Sequence, residues 1–544
     1  MADPFVLDNT GRDGYYYMYG TEGLLRCYRS KNLMDWEPVG EALKDMAYSS
    51  DGELTEAGKA AAYKDVWAPE VVYDGETRLY YLFFSATPQA DESVSVSGSA
   101  VYQLYVAVSK SPYKDFTLVD FSDAASCRAE NVHSIDTASY PQYYAKYVFL
   151  EPGAYSSFSK STGGTVQAGY ANYAGAIDPH PFVDDNGNKY LYWVDNIGSN
   201  GICVVKMENW LKPDWSTAAK VLYAGYYTVA DWSAAQQGTS VEKVSYESGS
   251  NTINEGPAVV RHDGKYYLTF SVNSYKEAEY QVAQAVADSP MGPFRKLRAE
   301  EGGLLLSGTE TGSQELTGTG HHSFVVAGGK RYIVYHRHDD LTTSVYARNP
   351  AIDEIKWVPI KDKDGKDLEV MVVNGPTCTV QPSLEAFSSY RNIAGEAKVS
   401  GSADASYLTD GLLSVNKGNE DFQKYIPETT ITGSTTFTFE FDTVRTVRGI
   451  MIYNSRTAGS IFKNISRIEL VCESEGREVV RYIDNLSFSD QYYETEGSGV
   501  SYVIPGAAAC AVFGEAYVKS IKITVEVPGG QSSVGLSEIR ILGK

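Results

Sequence analysis

The chain has 544 residues and a formal charge of −22, from 47 basic and 69 acidic side chains. That length supports more than one domain with sizeable cores, and the negative charge disfavours phosphate backbones and anionic lipid, so neither nucleic acid nor a membrane is expected as a partner. No stretch approaches the roughly 18 apolar residues of a membrane span, and 42 Tyr with 49 Gly favour a β-rich chain of aromatic strands and tight turns.

A strand begins at Ala2, immediately after Met1, as in a mature chain whose leader has been removed, and a secreted, periplasmic or cell-surface location is expected. The strand Asp3-Pro4-Phe5-Val6-Leu7 turns through Gly11 to Gly14 into the aromatic run Tyr15 to Tyr19. The same unit recurs four times, each a short apolar strand, an Asp/Gly turn and an aromatic strand. It starts again at Trp67-Ala68-Pro69-Glu70, at Ile177-Asp178-Pro179, at Glu255-Gly256-Pro257 and at His321-His322-Ser323. Downstream of several copies comes a further strand, then a polar loop closed by an aromatic: Trp36, Phe116 and Phe294. Each unit therefore reads as three or four antiparallel strands, and five such units in series predict an all-β, five-bladed propeller.

Between the second and third copies lies a polar, Ser- and Tyr-rich insertion, roughly residues 88 to 100 and 120 to 175, expected on one face of the molecule; on the face of the strand heads it would shape the site. The repeat ends near Pro376. The expected organisation is a propeller over residues 1–376, a connector over 377–390 and a β-sandwich over 391–544. Period-two alternation in Thr436 to Phe441 and Val518 to Val525 supports strands buried on one face. The six cysteines show no CxxC spacing; Cys472 and Cys510 share a region and could pair.

In a propeller the first strand of each blade runs along the axis, so the heads Asp3, Trp67, Asp178, Glu255 and His321 converge. One such carboxylate alone reads as a turn former, but three at one register of a repeat do not. Crowded together they raise at least one pKa, which keeps one carboxyl protonated while another stays ionised, the arrangement glycosidic cleavage needs. Trp67 offers an apolar face to a sugar ring. His321 has two readings, metal ligand or hydrogen-bonding group, and His336 and His338 read as structural residues of a later strand.

At these motifs, together with Gly318-Thr319-Gly320-His321, the chain resembles glycoside hydrolase family 43, five-bladed propeller enzymes acting on arabinose- and xylose-containing plant polysaccharides. The resemblance implies Asp3 as general base, Asp178 as the carboxylate tuning the acid, and Glu255 as general acid. It implies that Arg348 contacts the sugar and that His321 lies near the axis beside a calcium or other hydrated ion; no cofactor is needed for the chemistry. The expected activity is inverting and, because the long insertion would wall in a site with room for one terminal sugar, exo-acting, an α-L-arabinofuranosidase first, with β-xylosidase, galactofuranosidase, endo-arabinanase and a non-catalytic sugar-binding propeller as alternatives. Asn392-Ile393-Ala394, Leu408-Thr409-Asp410-Gly411 and Leu536-Ser537-Glu538-Ile539-Arg540 resemble the discoidin-like, galactose-binding-like sandwich, for which carbohydrate binding and simple packing both stay open.

Overall fold

The computed structural model describes residues 1–44, 66–86, 103–119, 176–195, 200–247, 252–311, 314–338, 347–377, 379–413, 420–457, 460–488, 492–494, 501–503 and 506–544. The Ser- and Tyr-rich insertion, Cys127 and Cys378 lie outside the described residues. The chain divides into two compact units, one of residues 1–305, 318–326 and 332–352, the other of 306–317, 327–331 and 353–544.

Five antiparallel sheets follow one another, each in simple strand order. Their first strands are Ala2–Asp8, Val66–Asp74, Ala176–Val183, Asn254–His262 and Gly320–Ala327. The first four of these pack side by side in sequence. The ring closes through Ser323, whose hydroxyl donates to the Pro4 carbonyl at 2.9 Å and accepts the Val6 amide at 3.2 Å. The turns follow the sequence chemistry: Asp263 and Gly264 both take positive φ in the two-residue hairpin linking His262 to Lys265, as a type I′ turn requires. The tyrosine-rich second strands fill the space between blades, with Tyr19, Tyr192, Tyr267 and Tyr335 fully buried.

Every first strand carries a kink at the same place. Register shifts fall between Ala2 and Phe5, Trp67 and Glu70, Ile177 and His180 (opposite Tyr192 and Val194), and Glu255 and Ala258. The residue with positive φ at the kink is Asp3, Ala68, Asp178, Gly256 and His321 in turn. Bulges of this kind re-aim a side chain and break the local ladder, and the proline that follows in four of the five blades needs no ladder donor. The kink corrects the register read from the sequence. Asp3, Asp178 and His321 are equivalent, but Trp67 and Glu255 stand one residue earlier, beside Ala68 and Gly256.

In the second unit one hydrogen-bonded network of eight strands runs Arg391–Asn392, Val534–Gly543, Thr435–Asn454, Ala508–Val525, Asn464–Ser474 and Arg477–Ser487, with Lys398–Ser400 added to Thr435–Asn454 and Thr429–Ile431 to Val534–Gly543. The predicted alternation holds: Phe437, Phe439, Phe441, Ile521, Ile523 and Val525 all enter one apolar core. Ile393, Ala394, Leu408, Leu536 and Ile539 join them. The cysteine pairing does not hold. Cys472 and Cys510 form no disulfide, because Cys472 sits opposite Val518 in the ladder whereas Cys510 sits opposite Met451.

Candidate active site

The kinked residues direct their polar groups to one end of the first unit. Their freed backbone amides are met by side chains from the second strand of the preceding blade. Ala68 donates to Thr21 Oγ1 at 2.9 Å, Asp178 to Ser85 Oγ at 2.9 Å, His321 to Ser271 Oγ at 2.8 Å, and Asp3 to His336 Nδ1 at 3.2 Å. Blade four is the exception. Val194, opposite Ile177, has no hydroxyl, and the Gly256 amide instead donates to Asp178 Oδ2 at 2.9 Å. The missing hydroxyl thus ties the Asp178 carboxylate to the residue after Glu255. Glycine fits there because φ is +55° and a Cβ would stand 3.3 Å from His321 Cγ.

Asp3 is buried beside one guanidinium, two imidazoles and a hydroxyl donor. His321 Nδ1 lies 3.3 Å, His336 Nδ1 3.5 Å and Arg348 Nη1 3.6 Å from its Oδ1, and the Thr21 hydroxyl donates to Oδ2 at 2.6 Å. Burial pushes its pKa up, but His321, Arg348, His336 and the Thr21 hydroxyl together outweigh it and hold the carboxyl well below the usual range. Glu255 meets the opposite balance. Burial pushes it up, the Tyr280 hydroxyl at 2.8 Å opposes, the Asp3 charge adds to the rise, and the carboxyl reaches about 7. Asp178 is also pushed well up, first by burial, then by the charges of Glu255 and Asp3. Two adjoining buried carboxyls cannot both ionise near neutrality, so this pair holds one proton.

The histidines are neutral. Burial lowers His321 and lowers His336 strongly. Since His336 Nδ1 accepts the Asp3 amide, its proton sits on Nε2. Tyr280 stacks on His336 with centroids 5.6 Å apart, and His336 lies 6.3 Å from His321. The Gly318-Thr319-Gly320-His321 motif now has a steric reason. A Cβ on Gly320 would stand 2.2 Å from Tyr280 Cε1, and one on Gly318 would stand 2.2 Å from His338 Nε2.

One layer deeper, Glu70 and His180 join at 2.8 Å, and His180 Nε2 accepts the Val259 amide at 3.0 Å, so Nδ1 carries the proton toward Glu70. Trp67 is half-buried at the start of the second blade. Arg348 also lies over Tyr275 at 5.0 Å, and its backbone carbonyl accepts the amino terminus at 2.6 Å. His336 and Tyr280 escaped the sequence reading. The signal for His336 is visible only in hindsight, as the polar residue near the end of four of the five aromatic second strands, Thr21, Ser85, Ser271 and His336, and no such pattern marks Tyr280.

The donor set at His321 offers no cage of protein ligands for an ion. Its Nδ1 is turned toward Asp3 and, at 4.0 Å, Asp178, and among the described residues no group of three or more His, Cys, Asp or Glu could hold a metal.

The model of glycosyl hydrolases family 43 matches residues 1–151 and 161–362. The chain belongs to this family. Within it, the chain is 28% identical over 207 residues to a β-D-galactofuranosidase of Aspergillus niger, covering 36% of this chain and 50% of that protein. It is 25% identical over 290 residues to an extracellular endo-α-(1→5)-L-arabinanase of Thermotoga petrophila, covering 51% and 48%. This family 43 chain thus spans about half the length of the curated relatives it matches. Among solved structures, a thermostable family-43 glycoside hydrolase aligns with a TM-score of 0.45 at 23% identity, over 70% of this chain and 95% of that one.

Proposed function

We propose that this family 43 chain is an inverting glycoside hydrolase that releases terminal sugars from plant-wall glycans, α-L-arabinofuranose first among them. The observation that carries the reading is the different setting of the acidic strand heads, with Asp3 ringed by Arg348, His321, His336 and the Thr21 hydroxyl, and Glu255 held by the Tyr280 hydroxyl next to the Gly256 amide that fixes Asp178. Asp3, locked among His321, His336 and Arg348, acts as the base that takes a proton from the attacking water. Glu255 gives its proton to the leaving oxygen as the glycosidic bond breaks. Asp178, fixed by the Gly256 amide, keeps that proton on the pair until it is used. Tyr280 positions Glu255 through its hydroxyl, and Arg348 and Trp67 hold the sugar. No step runs through a metal, and elemental analysis of protein dialysed against a chelator should find no stoichiometric calcium.

A secreted, periplasmic or cell-surface location suits such a substrate, and among the described residues no helix is long and apolar enough to cross a membrane. Two of the matched relatives carry arabinanase or galactofuranosidase names, so the sugar is to be decided by assay. The test is a panel of aryl arabinofuranosides, xylosides and galactofuranosides, with proton NMR of the first-formed anomer. Release from the arabinofuranoside with inverted anomeric configuration is expected. Retention of configuration, or large internal fragments from polymeric arabinan, would contradict the reading.

A further inference from the structure

The polar loop that closes each blade has two forms. In blades one and two a serine that ends the third strand accepts the amide two residues on, Asn32 to Ser30 at 3.1 Å and Ser111 to Ser109 at 2.9 Å, and in blade four Ser289, two residues past its third strand, accepts the Met291 amide at 3.1 Å. In blades two and four a tyrosine hydroxyl of the preceding blade then ties the loop down, Tyr19 to the Pro112 carbonyl and Tyr192 to the Pro290 carbonyl. The closing aromatics there, Phe116 and Phe294, are each 1% exposed. Blade one braces its loop internally, with Asn32 Oδ1 accepting the Met34 and Asp35 amides at 3.0 and 2.9 Å. Its closing aromatic is Trp36, half-buried, with the indole N–H fixed on the Leu33 carbonyl at 3.1 Å.

The result is a cavity of about 680 Å³ whose walls include Trp36, Tyr15, Lys31, Asp35 and Glu37. Tyr15 carries the Arg29 guanidinium 4.5 Å from its ring centre and Lys31 Nζ at 5.2 Å. Lys31, Asp35 and Glu37 are exposed; Glu37 pairs with Arg29 at 2.5 Å and Asp35 accepts from the Asn32 side-chain amide at 2.8 Å, which leaves Lys31 and the remaining carboxylate oxygens as polar groups beside the Trp36 ring. Flat apolar faces bordered by charged donors and acceptors are what a sugar requires, since its C–H faces lie on aromatics while its hydroxyls reach polar side chains. The cavity stands away from the strand heads. Tyr16, next to Tyr15, pairs with Asp8, five residues along the first strand from Asp3, a separation of roughly 17 Å.

We propose that this cavity is a second carbohydrate-binding site, taking a short neutral stretch of the polymeric substrate outside the catalytic centre. That the ligand is a plant-wall glycan rests on the hydrolase reading above. The site keeps the polymer on the enzyme without taking part in bond cleavage.

The test uses the full chain carrying Glu255→Gln, so that polymers survive, in native gels containing soluble arabinan, xylan or galactan. Retention by at least one polymer is expected, and adding Trp36→Ala or Tyr15→Ala should weaken it roughly ten-fold, the usual cost of truncating a central aromatic. Trp36→Phe, which restores the residue type of the other blades, serves as the variant that keeps the fold. In the active background, kcat/KM on an aryl glycoside should stay within about two-fold. Equal retention of the parent and all three variants, or no retention of the parent by any polymer, would overturn the proposal. Turnover of aryl glycosides by the unmodified chain tests the hydrolase reading separately: turnover without retention sinks the cavity alone, and retention lost on Trp36→Ala without turnover sinks the hydrolase alone.

Discussion

Asp3 and Glu255 lie at the same end of the same ring, the first buried and the second half-buried, and differ in charge. Burial acts on both in the same direction, so the difference comes from neighbours. Asp3 has two histidines, an arginine and a threonine hydroxyl around it, whereas Glu255 has one tyrosine hydroxyl and the repulsion of Asp3. The blades that surround them teach the same point at the backbone. Thr21, Ser85 and Ser271 occupy a place that Val194 cannot fill, and the loss of one hydroxyl in the third blade hands the Gly256 amide to Asp178. A repeat supplies the geometry, and departures from it supply the chemistry.

The contrast is broken most severely by removing either end. Glu255→Gln and Asp3→Asn should each lower kcat by about 10² to 10⁴-fold, the ordinary worth of a positioned acid or base. Steady-state kinetics on the best aryl glycoside measures this, and a loss under ten-fold in either variant would remove that residue from the chemistry. Asp178→Asn is next, at roughly ten- to hundred-fold. Without the second carboxyl the proton has only Glu255 to sit on and no adjoining negative charge to hold it, so the basic limb of kcat/KM should move to lower pH; an unaltered profile would count against the tuning role.

Arg348→Met sharpens the comparison differently. The guanidinium lowers the pKa of both Asp3 and Glu255, so its removal should move the acidic and basic limbs together to higher pH, with a raised KM. A shift of one limb alone would show that Arg348 acts on one end only. Tyr280→Phe should have the smallest effect. Its hydroxyl lowers Glu255 and not Asp3, so only the basic limb should rise, by less than about one pH unit for the loss of one hydrogen bond. A moved acidic limb would mean that the ring, through its stack on His336, matters more than the hydroxyl.

The fold was largely legible because strand, turn and aromatic run repeat in order, and because the Asp/Gly turns carry their own backbone chemistry. Asp3, Asp178 and His321 were legible as heads for the same reason. The one-residue offset of Trp67 and Glu255 was not, since a bulge is a backbone event and Ala68-Pro69 or Gly256-Pro257 reads as well one residue either way. His336 looked structural because it lies on a second strand, and only the closed ring brings that strand's end against Asp3. Tyr280 needs Gly320 beside it to reach Glu255, a packing relation between blades four and five that no local pattern carries. Cys472 and Cys510 are near in sequence terms and well separated in the ladder.

The most direct test is the pH profile of kcat/KM for the unmodified chain, which reports the essential acid and base of the free protein. A bell is expected whose basic limb falls near pH 7, where the pair loses its proton, and whose acidic limb lies below the ordinary carboxylate range because Asp3 stays ionised there. An acidic limb at or above pH 5 with a basic limb beyond 9 would contradict it, since neither end would then carry the charge its neighbours impose.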